Sequence, residues 1–326
     1  MKQAAFERLH QARWLEFAGQ LDALERGKAS AQQADAFPAA YRQLCQQLAI
    51  AESRGYSTQL VEQLQRLVLR GHQQFYRHRS PLLGRTLGFI TGGFARAVRL
   101  QWRYVLAASL LFYGSLLGMA ALVYAFPDLV YSVLPADQVA QMEQMYDPDA
   151  SRLGRFAERG AGDDWLMFGY YVMNNIGIAF QTFASGLLFG LGTLFFLLFN
   201  GLTIGAVAGH LTGIGYHQPF WSFVIGHGAF ELTAITFAGA AGLQLGAALL
   251  APGCRTRAQA LRLAAKHGIQ LVCGATAFLL IAAFVEAYWS SMTLTTPTIK
   301  YIVGAALWLL VGAYFMFAGR GRYAAD

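Results

Sequence analysis

The feature that most constrains this chain is the run at residues 104–126, which holds 23 residues and no charged side chain. About 20 apolar residues in helical form cross the hydrocarbon core of a bilayer. Inside that core each backbone N–H and C=O must find its partner within the segment, so the run is expected to be an α-helix. Further apolar stretches follow at 165–199, 202–216, 217–252, 269–289 and 299–317. The chain as a whole is 13% charged. A soluble domain carries about 25%, so a soluble fold is excluded, and so apolar a chain would aggregate if unfolded. The expected class is an all-α, polytopic membrane protein with about six transmembrane helices and some re-entrant or interfacial segments.

The placement of charge orients the spans. Residues 1–103 hold fifteen Lys/Arg and seven Asp/Glu. Residues 127–164 hold eight acids against Arg152, Arg155 and Arg159, and residues 252–267 hold Arg255, Arg257, Arg262 and Lys266 with no acid. Lys and Arg collect on the cytoplasmic side of membrane proteins. That rule accounts for the net charge of +7 without a nucleic-acid partner. It predicts a bacterial inner-membrane protein with both termini cytoplasmic and the acidic segment 127–164 outside.

Two apolar stretches are too long for one crossing. Residues 165–199, at about 1.5 Å per residue, would measure about 50 Å against a core of about 30 Å. The expected division is an interfacial lead-in at 165–176 and a span at 177–199. Asn200-Gly201 then reads as a tight inner turn, followed by a short span at 202–216. Residues 219–228 are expected to be a re-entrant or interfacial turn before a span at 229–251. Gly201, Gly205, Gly209 and Gly213 recur every fourth residue, which sets them on one helix face for close packing, within the chain or in a homo-oligomer.

Residues 1–80 read as a cytoplasmic three-helix region. One stripe is Trp14, Leu15, Ala18, Leu21 and Leu24. A second helix is expected to start near Pro38 and to carry Tyr41, Leu44, Leu48 and Ala51. A third starts at Ser57 or Thr58, a plausible N-cap, and carries Leu60, Val61, Leu64, Leu67, Val68 and Phe75. The opening residues are polar and helical in pattern rather than a signal peptide, so 104–126 is expected to act as an uncleaved anchor. Residues 81–103 interleave Leu, Phe and Trp with Arg85, Arg96, Arg99 and Arg103. That composition suits an amphipathic helix in the headgroup plane, with membrane lipid as its partner. The transmembrane domain is then 104–318, and 319–326 is a cytoplasmic tail.

Ionisable groups within spans are costly and so draw attention. His210, His217, His227, Glu231 and Glu286, with Asn174 and Asn175, all fall towards the outer end of their spans, which predicts one polar cluster at outer-leaflet depth. Glu231 follows His227 by four residues and shares its helix face. Three uses are open: a hydrogen bond that locks a turn, a proton, ion or small-ligand site, and a metal site on His227 and Glu231 with His210 or His217. The HxxxE spacing is a weak metal signal. Cys45, Cys254 and Cys273 show no CxxC spacing. No nucleophile stands at a recognisable spacing from a base, so no catalytic residue is expected and no cofactor is required.

Three passages resemble the stage II sporulation protein M family of bacterial membrane proteins. One is Asn174-Asn175 with Gly186 and Gly190; another is Asn200-Gly201 with Gly205 and Gly209. The most specific is Gly226-His227-Gly228-Ala229-Phe230-Glu231, followed by Gly239, Ala241 and Gly242. Arg13-Trp14, Tyr41-Arg42, residues 64–70 and Tyr76-Arg77 resemble the longer members. The resemblance implies a non-enzymatic scaffold or assembly partner in a cell-envelope complex, with a MoxR-type AAA+ ATPase and von Willebrand-type proteins as expected partners. A transporter or channel for an ion, proton or amphipathic small molecule is the alternative, and a metal-dependent intramembrane enzyme the third reading.

Overall fold

The computed structural model describes residues 2–26, 31–75, 82–148, 161–292 and 295–320. Among them all regular structure is helical, the all-α polytopic architecture that the apolar runs demand. The chain divides into two compact units, Met1–Arg85 and Thr86–Asp326.

The first unit is built from α1 (Gln3–Glu25), α2 (Ala31–Ser53) and α3 (Thr58–Phe75). Phe6, Trp14, Phe17 and Leu21 of α1 pack on Phe37, Leu44 and Ala51 of α2 and on Leu60 and Leu64 of α3. The stripe on α1 therefore runs through Phe17, and Leu15 points to solvent at 68% exposure. Helix α2 starts seven residues before Pro38, which lies inside it. The proline forfeits a backbone hydrogen bond, and its neighbour Phe37 stacks on Phe17 at 5.3 Å in compensation. The predicted cap of α3 is present: Ser57 Oγ accepts from the Leu60 N–H at 3.5 Å. Arg70 of α3 reaches Asp22 at 2.6 Å and Glu25 at 2.9 Å on α1. Trp14 Nε1 donates to Gln47 Oε1 at 2.6 Å in the core, and Gln47 Nε2 lies 3.2 Å from His10 Nδ1.

Burial, and then the charge of Arg13, hold His10 below its usual 6.5. A group that is harder to protonate in the folded state gives stability above its unfolded pKa and withdraws it on acidification. The first unit should thus lose hydrogen-exchange protection in α1 and α2 as pH falls below 6.5, and His10→Gln should flatten that dependence.

The second unit begins within α4 (Leu82–Gly88) and continues through a π turn (Phe89–Gly93), α5 (Phe94–Leu100), α6 (Trp102–Ala125), a 3₁₀ turn (Pro127–Ser132), α7 (Ala136–Met145) and α8 (Ala161–Ala184). Then come α9 (Leu191–Gly213), α10 (His217–Leu250), α11 (Arg257–Phe284) with a π turn at Val285–Ser290, and α12 (Pro297–Phe317). Among the described residues five helices are long and apolar enough to cross a membrane: α6, α9, α10, α11 with its π turn, and α12. Helix α8, which opens with Asp163 and Asp164, packs among them against α10 and α11.

Helix α10 is the axis. It packs on α6, α8, α9, α11 and α12, and residues 234–242 are buried without a break. Its neighbours come close because glycines remove side chains at the contacts. Chain reversal between α8 and α9 occurs at Phe189 and Gly190, with φ of 53° and 83°. This reversal wraps α10: a Cβ on Gly186 would overlap the Gly242 carbonyl, and one on Gly246 would meet Gly190. Phe94 of α5 fills the opposite side, its ring edge-on to Phe237 at 5.5 Å, Phe278 at 5.6 Å and Phe315 at 5.3 Å.

Several expected boundaries move. Asn200-Gly201 is not a turn but the middle of α9. Asn200 satisfies its amide by donating to the Phe196 carbonyl at 2.7 Å, and Gly201 admits the Phe112 carbonyl of α6. The span at 177–199 is accordingly broken, and 165–176 belongs to α8 rather than to a lead-in. Residues 219–228 form no re-entrant turn, since α10 is one helix of 34 residues. Pro219 lies in its first turn, where no N–H bond is lost, and Gly226 faces Val285 instead of breaking the helix. Residues 82–103 are not one amphipathic helix, and Phe94, Ala95, Ala97 and Val98 are buried in the unit's core. Arg99 donates to the Phe315 and Ala318 carbonyls at 2.7 and 2.6 Å, closing the end of α12. Tyr76, Arg77, Pro81, Arg152, Arg155, Arg159 and the tail from 321 lie outside the described residues.

The glycine ladder of α9 serves the inside of the chain. Gly201, Gly205 and Gly209 receive the α6 backbone at Phe112, Leu116 and Ala120, whereas at Gly213 the nearest atom to a Cβ is 3.9 Å away, on Tyr124. Gly205→Ala should therefore cost about 1–3 kcal/mol or more by overpacking, and Gly213→Ala should be tolerated. Thermal unfolding of the two variants in detergent checks the contrast.

Candidate functional site

The polar residues predicted to form one cluster divide into separate groups. His227 and Glu231 lie one turn apart on the same face of α10, as their spacing requires. The third member comes from α11, whose closing π turn carries Glu286 and Ser290. A ring nitrogen of His227 and one carboxylate oxygen each of Glu231 and Glu286 lie within 4.8 Å of one another. His227 is 6% exposed, and both glutamates are half-buried. Ser290 Oγ lies 3.1 Å from His227 Nδ1, and the Phe223 ring packs across the imidazole at 5.4 Å. π turns widen a helix by one residue and recur at functional sites. Here the wide turn sets both Glu286 and Ser290 beside α10.

Helix α12 closes the site with Lys300, 3% exposed, whose Nζ donates to the Ser290 carbonyl at 2.7 Å. This reach depends on Gly304, one turn further along. A Cβ there would stand 2.6 Å from a methyl of Ile225 on α10. Three helices thus meet at a polar node among apolar neighbours.

The remaining predicted residues lie elsewhere. His210 on α9 pairs through Nε2 with Glu143 Oε1 of α7 at 2.7 Å, and its buried Nδ1 has no partner. That pair ties the acidic segment to the bundle. Asn174 is exposed and donates to Asn175 Oδ1 at 2.9 Å, while Asn175 is buried with its own Nδ2 unpartnered. His217 is exposed at the start of α10. Neither His210 nor His217 joins His227 and Glu231; the residues that gather there are His227, Glu231 and Glu286, whose donor atoms are of the kinds that a cation accepting nitrogen and oxygen would take.

Sequence reasoning missed Ser290, Lys300 and Glu143. Lys300 had a signal, being a cation at the second position of the last apolar run. Glu143 had one too, because Val139, Met142 and Tyr146 follow helical spacing within a segment read as an outer loop. Ser290 had none, as its place depends on the π turn.

A family model for stage II sporulation protein M matches residues 86–291, more than half of the chain. The chain belongs to the stage II sporulation protein M family. Within the matched region lie His227, Glu231, Glu286 and Ser290, and its first residue, Thr86, is also where the second compact unit begins. Lys300 falls beyond it. A domain of unknown function, DUF8413, matches residues 4–77, which cover α1 from its second residue together with α2 and α3. No curated protein and no solved structure matches this chain.

In this stage II sporulation protein M relative the approach of α12 is open to a size-exchange test. Gly304→Ala should destabilise the fold by about 1–3 kcal/mol. Ile225→Ala, which clears the obstructing methyl, should return part of that loss when the two are combined, as read by thermal unfolding.

Proposed function

We propose that this protein is a non-enzymatic scaffold of the bacterial inner membrane. Its first unit would dock a soluble cytoplasmic partner, and its second would anchor the assembly in lipid. The carrying observation is the presence of a compact helical unit with its own aromatic core on the same chain as a bundle that can cross a membrane.

The packing of the second unit supports a frame over a carrier. Alternating access needs one group of helices to rock against another. Here the α8–α9 reversal is seated on α10 at Gly242 and Gly246, and α9 on α6 at three glycines. Such seats bring backbone close to backbone, at Gly242 and Gly201 with only the short side chains of Thr193 and Ser115 between, and they engage at one relative position. The orientation follows from charge: the basic run 252–267 and the arginines before α6 mark the cytoplasmic side, and the acidic segment after α6 the outer side. Both termini are then cytoplasmic. By family resemblance the docked partner is a MoxR-type AAA+ ATPase acting with von Willebrand-type proteins on the cell envelope.

Deletion of 1–80 should leave the second unit inserted, with its unfolding temperature unchanged, and should abolish co-purification of the ATPase. His227→Gln combined with Glu231→Gln should leave co-purification intact. Retention of the ATPase by the truncated chain would sink the docking role. A cysteine placed at Asp147 should react with an impermeant thiol reagent from outside the cell, and labelling from the cytoplasm alone would reverse the orientation.

A further inference from the structure

We propose that His227, Glu231 and Glu286 hold one divalent transition-metal ion of the zinc class, and that the ion clamps α10 to the π turn of α11. The geometry carries this. One imidazole nitrogen and two carboxylate oxygens converge within 4.8 Å from two different helices. Zinc bonds of about 2.0–2.2 Å place tetrahedral ligands about 3.4 Å apart, so the three groups need to draw together by about an ångström, within the reach of glutamate rotamers. One nitrogen with two carboxylates suits zinc, manganese or iron(II), and is less suited to magnesium or calcium, which prefer oxygen alone.

The surroundings resemble those of a metal site. A ligating histidine characteristically has its other ring nitrogen held by an outer partner, and Ser290 Oγ stands 3.1 Å from His227 Nδ1. That contact leaves Nε2 for the ion. Lys300 fixes the same turn by its bond to the Ser290 carbonyl, so the second layer is itself anchored. Two carboxylates held side by side repel when both are charged. A dication removes that repulsion and turns it into a bond between helices.

The test uses the full chain, purified with a tag free of histidine, and reads metal content and stability. We expect about one transition-metal ion per chain, and an unfolding temperature of the EDTA-stripped protein that rises on adding zinc chloride. Glu231→Gln and Glu286→Gln should lose the bound ion and the zinc response. Ser290→Ala, which acts only through His227, should weaken affinity about 10–100-fold. Stripped of metal, both Gln variants should still unfold cooperatively in the same detergent, and zinc should raise the unfolding temperature of the parent alone. Cooperative unfolding without a zinc response separates ligand loss from a failure to fold. A parent that carries no transition metal and shows no zinc response overturns the proposal. A zinc response equal in parent and Gln variants overturns it as well, and calcium or magnesium in the site overturns the class of ion.

Discussion

Backbone against backbone is the contact on which the second unit rests. In lipid, helices gain little by covering one apolar side chain with another, because the solvent is equally apolar. They are held by close packing, and close packing requires that side chains be missing at the crossing points. In this chain Gly186, Gly242, Gly246 and Gly190 bring the α8–α9 reversal onto α10, while Gly201, Gly205 and Gly209 bring α9 onto α6. Gly274 accepts the Phe94 ring, and Gly92 meets Gly319. Remove these and α10 loses the neighbours that bury it along residues 234–242.

The polar node follows from that packing. Gly304 lets α12 approach Ile225, which carries Lys300 to the Ser290 carbonyl. Ser290 in turn meets His227, and the wide turn that bears Ser290 also bears Glu286. None of these groups could be near its partner if the helices were separated by ordinary side chains. Polar groups that would be costly one by one in an apolar unit are gathered there from α10, α11 and α12.

Most of the architecture was legible in sequence because lipid imposes a simple demand. The run at 104–126 matches α6, and the last run matches α12, each within a few residues. The boundaries failed where glycine had two meanings. Asn200-Gly201 looks like a turn and is a packing seat, whereas Gly190, less conspicuous, is where the chain reverses. Local sequence cannot separate these, since the difference lies in what the neighbouring helix places there. The site shows the same limit. The i,i+4 pair His227 and Glu231 was visible along one helix, while Glu286 joined it only through the meeting of α10 and α11, and Ser290 only through a local change of helical pitch.

Helix α10 has 34 residues in one uninterrupted run, about 51 Å of length, which exceeds a hydrocarbon core of about 30 Å. It reaches from the level of Tyr146, just after α7, which packs on Phe220 and Phe223, to the basic segment before α11. A helix of that length does not fit upright within such a core, so it must tilt or carry its ends past the hydrocarbon.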